Sequence, residues 1–305
     1  MASVVARINE IKQPRCGYVK LSEFKKINLE DDKQLYDMKK ETIHPTIVGT
    51  VVDYLTRFMN GTDRRIAFGI SFLGAKIANK YGIALNLLNK INGLDDESIE
   101  NACRLVTFDV YYRNPAAISR VRKWNEAYIS EETVYNIRVM VNRGLNFFKE
   151  YGPVTKDGFS FKPNGYTDIV DAGDGDFLTK DTLWDFKVSK AEPTSKHTLQ
   201  LLMYYLMGQH SGQNIYDSIT KIGIFNPRLN VVYILDVKNI SSEVIRTVEE
   251  DVIGYYYDDS GYDEDDIVGY DHWGNEVTEY DIESGRIDID EVYEDKFPWR
   301  PVVFY

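Results

Sequence analysis

TLWDFKVS, residues 182–189, is the most informative stretch of this 305-residue chain. Its apolar and polar side chains alternate, and this period of two predicts a strand. Asp185 and Lys187 then share one face, about 6–7 Å apart along the strand. YTDIVDA, residues 166–172, alternates in the same way. We expect the two strands to be antiparallel neighbours, so that Asp168 comes to lie beside Asp185.

Two carboxylates that meet at one point repel each other unless a cation lies between them. Mg²⁺ prefers carboxylate, carbonyl and water oxygens as ligands. Asp168 and Asp185 are therefore candidate metal ligands, and the main-chain carbonyl of Phe186 is a third. Lys187 would then lie beside a metal-bound water. A cation at that point orients the water and stabilises charge that develops on a phosphate, as phosphodiester hydrolysis requires.

The spacing of apolar residues changes at Gly152. It follows a helical period before this residue and a strand period after it. SEETVYNIRVMVNRGLNFFKEYG, residues 130–152, is the strongest helix prediction, with Ser130 as its N-cap. Two earlier helices have apolar stripes at helical spacing, namely Ile47, Val51, Tyr54, Leu55 and Phe58 in one, and Ile66, Ile70, Leu73 and Ile77 in the other.

Beyond Gly152 the predicted order is three strands, a helix, two strands and a last helix. The predicted segments are strands 159–162, 166–172 and 182–189, a turn at 173–176, a helix at 193–210, strands 221–227 and 230–237, and a helix at 241–257. This order predicts an α/β or α+β core that follows an N-terminal helical elaboration.

The order of polar motifs resembles that of the PD-(D/E)XK nuclease superfamily, in particular its RecB-like and lambda-exonuclease-like branch. The matching residues are Gly165-Tyr166-Thr167-Asp168, then Asp185-Phe186-Lys187, then Gln200 and Tyr204 on the next helix. The resemblance implies a restriction-endonuclease-like core, a central mixed sheet flanked by helices. It also implies that Asp168 and Asp185 bind the metal, that Lys187 is the catalytic lysine, that Gln200 orients the site, and that Tyr204 supports it or contacts DNA.

Relatives in this branch add a histidine from an early helix or an acid from the helix before the first strand. His44 and Glu150 are the candidates here. The alternative for His44 is a helix cap, since it directly precedes Pro45. The alternative for Glu150 is a charge that faces solvent at the end of a helix. The family pattern is also incomplete, because Thr167 stands where many relatives have proline.

The Asp-x-Lys spacing has little specificity by itself, because the chain has seven Asp/Glu-x-Lys matches. Asp236-Val237-Lys238 is the only rival at the end of an apolar strand. It lacks a preceding acid on a strand and a following helix with a glutamine, so context favours Asp185. A structural salt bridge between Asp185 and Lys187 is the alternative.

The charge divides the chain unevenly. The net charge is −12, but residues 250–295 carry 18 Asp and Glu against one Arg, so the remainder is mildly basic. We expect a helical region at 1–129, a nuclease core at 130–249 and an acidic segment at 250–305. The acidic segment is either a structural extension or a DNA mimic that covers a basic cleft. The candidate DNA contacts are Arg57, Arg64, Arg65, Arg113, Arg120, Arg122, Lys123, Lys190 and Lys196.

These patterns predict a Mg²⁺- or Mn²⁺-dependent deoxyribonuclease that acts on a DNA substrate. The family resemblance favours an exonuclease of recombination, repair or phage and mobile-element DNA. The alternatives are a non-catalytic nucleic-acid-binding module and an acidic inhibitor of DNA-binding proteins. Two cysteines are too few for a disulfide framework or an iron–sulfur cluster. We expect a cytoplasmic protein without a membrane span; a homo-oligomer or a recombination-protein partner is left open.

Overall fold

The computed structural model describes residues 2–120 and 128–255, and in the acidic segment 267–270, 276–278, 282, 287 and 291–293. The chain forms two compact units, Met1–Tyr255 and Tyr256–Tyr305. In the second unit, strands β9 (Ile267–Tyr270) and β10 (Glu276–Thr278) pair antiparallel, and Tyr270 also bridges to Tyr293. Arg122 and Lys123 lie outside the described residues.

A six-stranded mixed sheet forms the centre of the first unit. In spatial order its strands are β2 (Lys25–Asn28), β8 (Val231–Asp236), β7 (Lys221–Asn226), β6 (Thr182–Phe186), β5 (Gly175–Leu178) and β3 (Lys156–Phe159). β6 and β7 are parallel, and every other neighbouring pair is antiparallel. β1 (Ala2–Ser3) and β4 (Val170–Ala172) form a separate parallel pair. The expected mixed α/β architecture is therefore confirmed at this level.

Helices cover both faces of the sheet. They are α1 (Val4–Glu10), α2 (Pro45–Met59), α3 (Arg64–Ala67), α4 (Gly69–Ile77), α5 (Tyr81–Asn89), α6 (Asp96–Val106), α7 (Asp109–Arg113), α8 (Glu131–Tyr151), α9 (Ser195–Gln209) and α10 (Ser242–Thr247). On one face, Phe147 of α8 packs against Trp184 and Phe225. On the other, α9 buries Leu202 and Leu206 against apolar strand residues. Because successive side chains of β6 point to opposite faces, this strand contributes apolar residues to the cores on both faces of the sheet.

The helical region packs on α8 through a second core that α2, α4, α5 and α6 share. α2 and α8 pack closely at Gly144 of α8, where an added Cβ would lie 2.9 Å from the Thr56 side chain of α2. A larger residue at 144 would therefore push α2 away from the sheet. A buried carboxylate, Asp109, accepts a hydrogen bond of 2.7 Å from the Tyr54 hydroxyl and joins α7 to α2.

α3 and α4 are two separate helices, because Phe68 between them has a non-helical backbone and is at once the C-cap of α3 and the N-cap of α4. The small residues Ala67, Gly74 and Ala75 face the core. The apolar stripe noted in the sequence lies on the outer side, where Ile66 is 73% exposed and Ile77 is 60% exposed.

Two buried arginines hold the segment that leads from β2 to α2. Arg228 makes a two-pronged ion pair with Glu41, with distances of 2.8 and 3.1 Å, and both side chains are almost fully buried. Arg143 of α8 pairs with Asp31 at 2.6 Å and donates to the carbonyl of Lys33. These contacts fix the start of α2 against the β7–β8 turn.

Several predicted elements differ from those observed. The helix predicted after Asn60 is divided into α3 and α4, and the last helix ends in a π-helical turn at Val248–Ile253. The first predicted strand is shifted towards its N-terminal side, to β3. The predicted turn at 173–176 overlaps β5. Among the described residues, no helix combines the length and apolar character needed to cross a membrane.

We expect Glu41→Gln to lower the free energy of unfolding by about 3–5 kcal/mol, because the substitution leaves the Arg228 guanidinium buried without a counter-charge. Urea unfolding measures the change. Asp181→Asn is the matched control, since the Asp181 side chain is 45% exposed and pairs with Lys221 at 2.7 Å. That control should cost less than about 1 kcal/mol. Equal losses in the two variants would contradict the role given to the buried pair.

Candidate functional site

Asp185 lies near the end of β6, in the middle of the sheet and on the face that α9 covers. Its side chain is 5% exposed. Oδ1 is 2.9 Å from Nζ of Lys187, two residues further along the same face. Oδ2 is fully buried and accepts no hydrogen bond from any described group. A buried carboxylate oxygen with no partner is costly, and it indicates a position where a ligand or cation fits.

Asp176 on β5 is the second acid of this face. β5 and β6 pair with Phe177 opposite Trp184, so the next position of the register puts Asp176 opposite Asp185. The Phe186 N–H donates to Asp176 Oδ2 at 2.7 Å. Directly opposed residues of an antiparallel pair have Cβ atoms about 4.5–5.5 Å apart. The two carboxylates are thus held together by the strand register.

The prediction that the 166–172 strand is the antiparallel neighbour of β6 is wrong. β4 pairs with β1 outside the six-stranded sheet. Asp168 is exposed at the tip of a turn closed by Thr167, whose N–H donates to the Val170 carbonyl at 2.9 Å. The structure therefore does not bring Asp168 to Asp185 and Lys187. The Gly-x-x-Asp spacing recurs at Gly173–Asp176, and this signal could have identified Asp176.

Arg57 of α2 joins the site to the helical region. Its guanidinium lies 2.8 Å from Asp53, 3.1 Å from Asp157 of β3 and 3.7 Å from Asp176. Three acids from three elements thus share one cation. The sequence interpretation treated Arg57 as a DNA contact and did not single out Asp53, because the approach of α2 to the sheet is set by tertiary packing.

Burial and mutual repulsion shift the pKa values of the acids. Burial raises the pKa of Asp185 to about 6. The charge of Lys187 lowers this pKa in part, and the charge of Asp176 raises it further. Burial likewise raises the pKa of Asp53 to about 6, although Arg57 opposes the shift. Burial lowers the pKa of Lys187, but the nearby acids outweigh this effect, so its pKa is raised overall and the amine stays protonated.

α9 supplies polar groups that face the acids. Gln200 Nε2 donates to the Tyr204 hydroxyl at 2.8 Å, and both side chains are buried. Burial raises the pKa of Tyr204, and the charges of Asp185 and Asp176 raise it further, so the hydroxyl stays neutral and close to both acids. The structure therefore brings Gln200 and Tyr204 to the predicted site. Burial lowers the pKa of His197, and the charge of the Lys187 amine lowers it further.

The two further candidate ligands have local roles. His44 is the N-cap of α2, where its Nδ1 accepts a hydrogen bond from the Thr46 N–H at 3.2 Å. Glu150 is exposed at the end of α8, and its charge acts on the adjacent Tyr151. Neither side chain is among the charges that shift the pKa of Asp185 or Lys187.

Arg57, Arg64 and Arg113, three of the six arginines proposed as DNA contacts, have protein partners. Arg64 donates to carbonyls at the end of α5, and Arg113 lies 3.7 Å from Asp109. Lys190 precedes α9 and is exposed, and Lys196 in the first turn of α9 is exposed and donates to Asn9 Oδ1 at 2.6 Å. They remain the candidates nearest to the acids in sequence. Lys238 of the rival motif follows β8 in a short 3₁₀ turn and is exposed.

The four acids of this region are only partly balanced by cations. Asp53, Asp157, Asp176 and Asp185 face two cations, Arg57 and Lys187, so the cluster has a formal charge of −2 when all are ionised. Within residues 2–120 and 128–255 and the short described stretches, no group of three or more His, Cys, Asp or Glu side chains is arranged so that it could hold a metal ion. Mg²⁺ characteristically uses one or two carboxylates and retains water.

A cleft opens beside Arg57, between the end of α2 and the β3–β5–β6 edge of the sheet. Its lining residues are Asp53, Thr56, Arg57, Asn60, Thr62, Phe148, Val154, Asp157, Phe177 and Phe186.

No family model, curated protein or solved structure that was compared with the chain matches it. The interpretation of the site therefore depends on its own chemistry.

Because the pKa of Asp185 is raised in the folded state, its ionisation reduces stability as pH rises from about 4 to above 6. We expect Asp185→Asn to match the wild type near pH 4 and to exceed it near pH 7, by up to about 3 kcal/mol. Urea unfolding in EDTA measures this difference. Asp236→Asn, at the rival motif, is the control and should show no such gain. A pH-independent difference for Asp185→Asn would contradict the assignment.

We expect Arg57→Met to lower the free energy of unfolding by about 1–3 kcal/mol, because three partly exposed acids lose their shared counter-charge. Arg104→Met is the matched control. Arg104 has a similar exposure but, among the described residues, pairs with one acid, Glu100 at 2.8 Å, so its loss should cost less than about 1 kcal/mol. Thermal or urea unfolding distinguishes them, and equal effects would show that the three-acid arrangement adds nothing.

Proposed function

We propose that the chain is a Mg²⁺- or Mn²⁺-dependent nuclease that hydrolyses DNA phosphodiester bonds on a restriction-endonuclease-like core. The observation that carries this proposal is the unpartnered, buried Oδ2 of Asp185, held beside Asp176 and next to Lys187. The resemblance in residue pattern favours an exonuclease of recombination, repair or phage and mobile-element DNA. Asp176 replaces Asp168 in the proposed ligand set.

Asp176, Asp185 and the Phe186 carbonyl are the proposed metal-binding groups. The bound cation would neutralise phosphate charge and lower the pKa of its water. Lys187, whose raised pKa keeps it protonated, would orient the attacking water and stabilise charge on the phosphate. Gln200 and Tyr204 of α9 would hold the two acids in position. Arg57 would keep the Asp176 carboxylate oriented towards the metal site.

Cleavage of end-labelled linear DNA and closed circular DNA, with Mg²⁺ or Mn²⁺, tests the proposal. We expect metal-dependent loss of the linear DNA, reduced about a hundredfold or more by Lys187→Ala and by Asp176→Asn. Lys238→Ala and Asp168→Asn are the matched controls and should keep wild-type activity. Cutting of the circle would indicate an endonuclease that uses the same groups.

The opposite results would overturn specific parts of the proposal. Activity that survives Lys187→Ala would discard the site. Loss of activity in Asp168→Asn but not in Asp176→Asn would restore the acid predicted from the sequence. Absence of cleavage of both DNA forms would discard the nuclease function.

A second candidate is a non-catalytic nucleic-acid-binding module with the same fold. It is favoured by the direct pairing of Asp185 with Lys187 and of Asp176 with Arg57, which partly neutralises the acids without a metal. Such a module should bind DNA equally well with Mg²⁺ and with EDTA. Calorimetric titration with Mn²⁺ separates the two, because the nuclease should bind the ion and lose this binding in Asp185→Asn.

A further inference from the structure

A group of exposed cations lies around the first turn of α9 and takes no part in the proposed metal site. We call this group the basic surface, and its members are Lys12, Arg15, Lys20, Lys190 and Lys196. Residues 7–26 carry six Lys and Arg against two Glu, in a chain whose net charge is −12. This part of the chain is therefore a local excess of positive charge on a predominantly acidic protein.

Segment 9–20, which carries three of these cations, is held on α9 at two points. The Lys196 amine donates to Asn9 Oδ1 at 2.6 Å. The buried Thr198 hydroxyl donates to the Val19 carbonyl at 2.7 Å. The two contacts lie in the first turn of α9, so the cations of the segment stand on a supported platform beside that turn.

Three glutamates border the basic surface, namely Glu10, Glu23 and Glu192. The Glu192 carboxylate lies 2.5 Å from the Lys26 amine, and the Glu10 carboxylate lies 3.9 Å from the Arg7 guanidinium. Arg7 also donates to the Asp251 carbonyl at 2.7 Å, so the acidic turn 248–253 bounds the surface on that side. Two of the three bordering glutamates are thus already balanced by cations outside the surface.

The cations of segment 9–20 are not committed to protein acids. Among the described residues, no carboxylate forms an ion pair with Lys12, Arg15 or Lys20. Arg57 and Arg113, which the sequence also suggested as DNA contacts, are instead held by acids of the protein. A polyanion can therefore bind to segment 9–20 without displacing an internal ion pair.

α9 connects the basic surface to the acids of the site. Lys196, Gln200 and Tyr204 follow each other at steps of four residues, so they share one face of the helix. Gln200 lies about 6 Å beyond Lys196 along the helix axis. Consecutive phosphates of one DNA strand are about 3.4 Å apart along the duplex axis, so this distance corresponds to about two nucleotides.

We propose that the basic surface binds the phosphate backbone of the DNA strand on one side of the acid cluster, starting about two nucleotides from the scissile bond. The inference rests on the proposed nuclease function for the identity of the polyanion. A lipid surface would require apolar anchors beside the cations. Within residues 6–26 and 188–198, every Val, Leu, Ile, Phe and Tyr residue is buried or half-buried, which favours DNA.

The salt dependence of DNA binding tests the proposal. Binding of the full chain to a fluorescein-labelled duplex of about 20 base pairs is measured in EDTA, over a series of KCl concentrations. The test variant combines Lys12→Gln, Arg15→Gln and Lys20→Gln. We expect it to reduce the slope of log K against log salt by about 2–3, because each lost phosphate contact removes about 0.9.

The matched control removes three exposed lysines elsewhere, by Lys39→Gln, Lys76→Gln and Lys80→Gln together. It changes the net charge of the chain by the same amount and should leave the slope unchanged. Lys190→Gln is a second, independent variant and should reduce the slope by about one. All the substituted side chains are exposed, so the fold should survive, and far-UV circular dichroism verifies this.

Three outcomes would overturn the proposal. They are equal losses of slope in the test variant and the matched control, absence of DNA binding by the wild type, and binding of phosphatidylserine vesicles through these cations with DNA binding unchanged. Cleavage with Mg²⁺ is measured on the same variants. Cleavage by the wild type with no change of slope in the test variant would reject the basic surface and keep the nuclease. The expected change of slope without any cleavage would do the reverse.

Discussion

The buried carboxylate of Asp185 is the constraint that the polar groups around the centre of the sheet have to meet. The alternation that buries Leu183 under α9 also turns Asp185 inwards, and a carboxylate in that position needs compensating charge. Lys187 supplies part of it from the same strand. Asp176 adds a second negative charge from β5, and Arg57 reaches this acid from α2. The contact between α2 and the sheet therefore includes an ion pair as well as apolar packing.

Local periodicity predicted the elements that are long and strongly patterned. α8 begins after Ser130 and ends before Gly152, as its cap and breaker indicated, and β6, β7 and β8 lie within their predicted segments. β5 was missed because its short sequence begins in Gly-Asp-Gly, which is typical of a turn. The turn at Thr167–Val170 was missed because a side-chain hydrogen bond, not the apolar pattern, ends the alternation there.

The candidate site was predictable only where its residues lie on one strand or follow it directly. Asp185, Lys187 and Gln200 could be found from their spacing. Asp53 and Arg57 lie more than 100 residues earlier, and nothing in the sequence of α2 shows which of its polar residues meets the sheet. The apolar stripe from Ile66 to Ile77 is another case in which the sequence does not show which side of a helix is buried. Its period indicates a helix, but tertiary packing determines which side is buried, and the core is contacted by the other side, which includes Ala67, Phe68 and Ala75.

The close crossing of α2 and α8 at Gly144 also has a consequence for when the site can exist. Asp53 and Arg57 enter it only after α2 has packed on α8, whereas Asp176 and Asp185 enter it only after β5 and β6 have paired. A nascent or partly unfolded chain that lacks either half has no assembled acid cluster. The acid cluster is therefore complete only when two distant parts of the polypeptide have both reached their final positions.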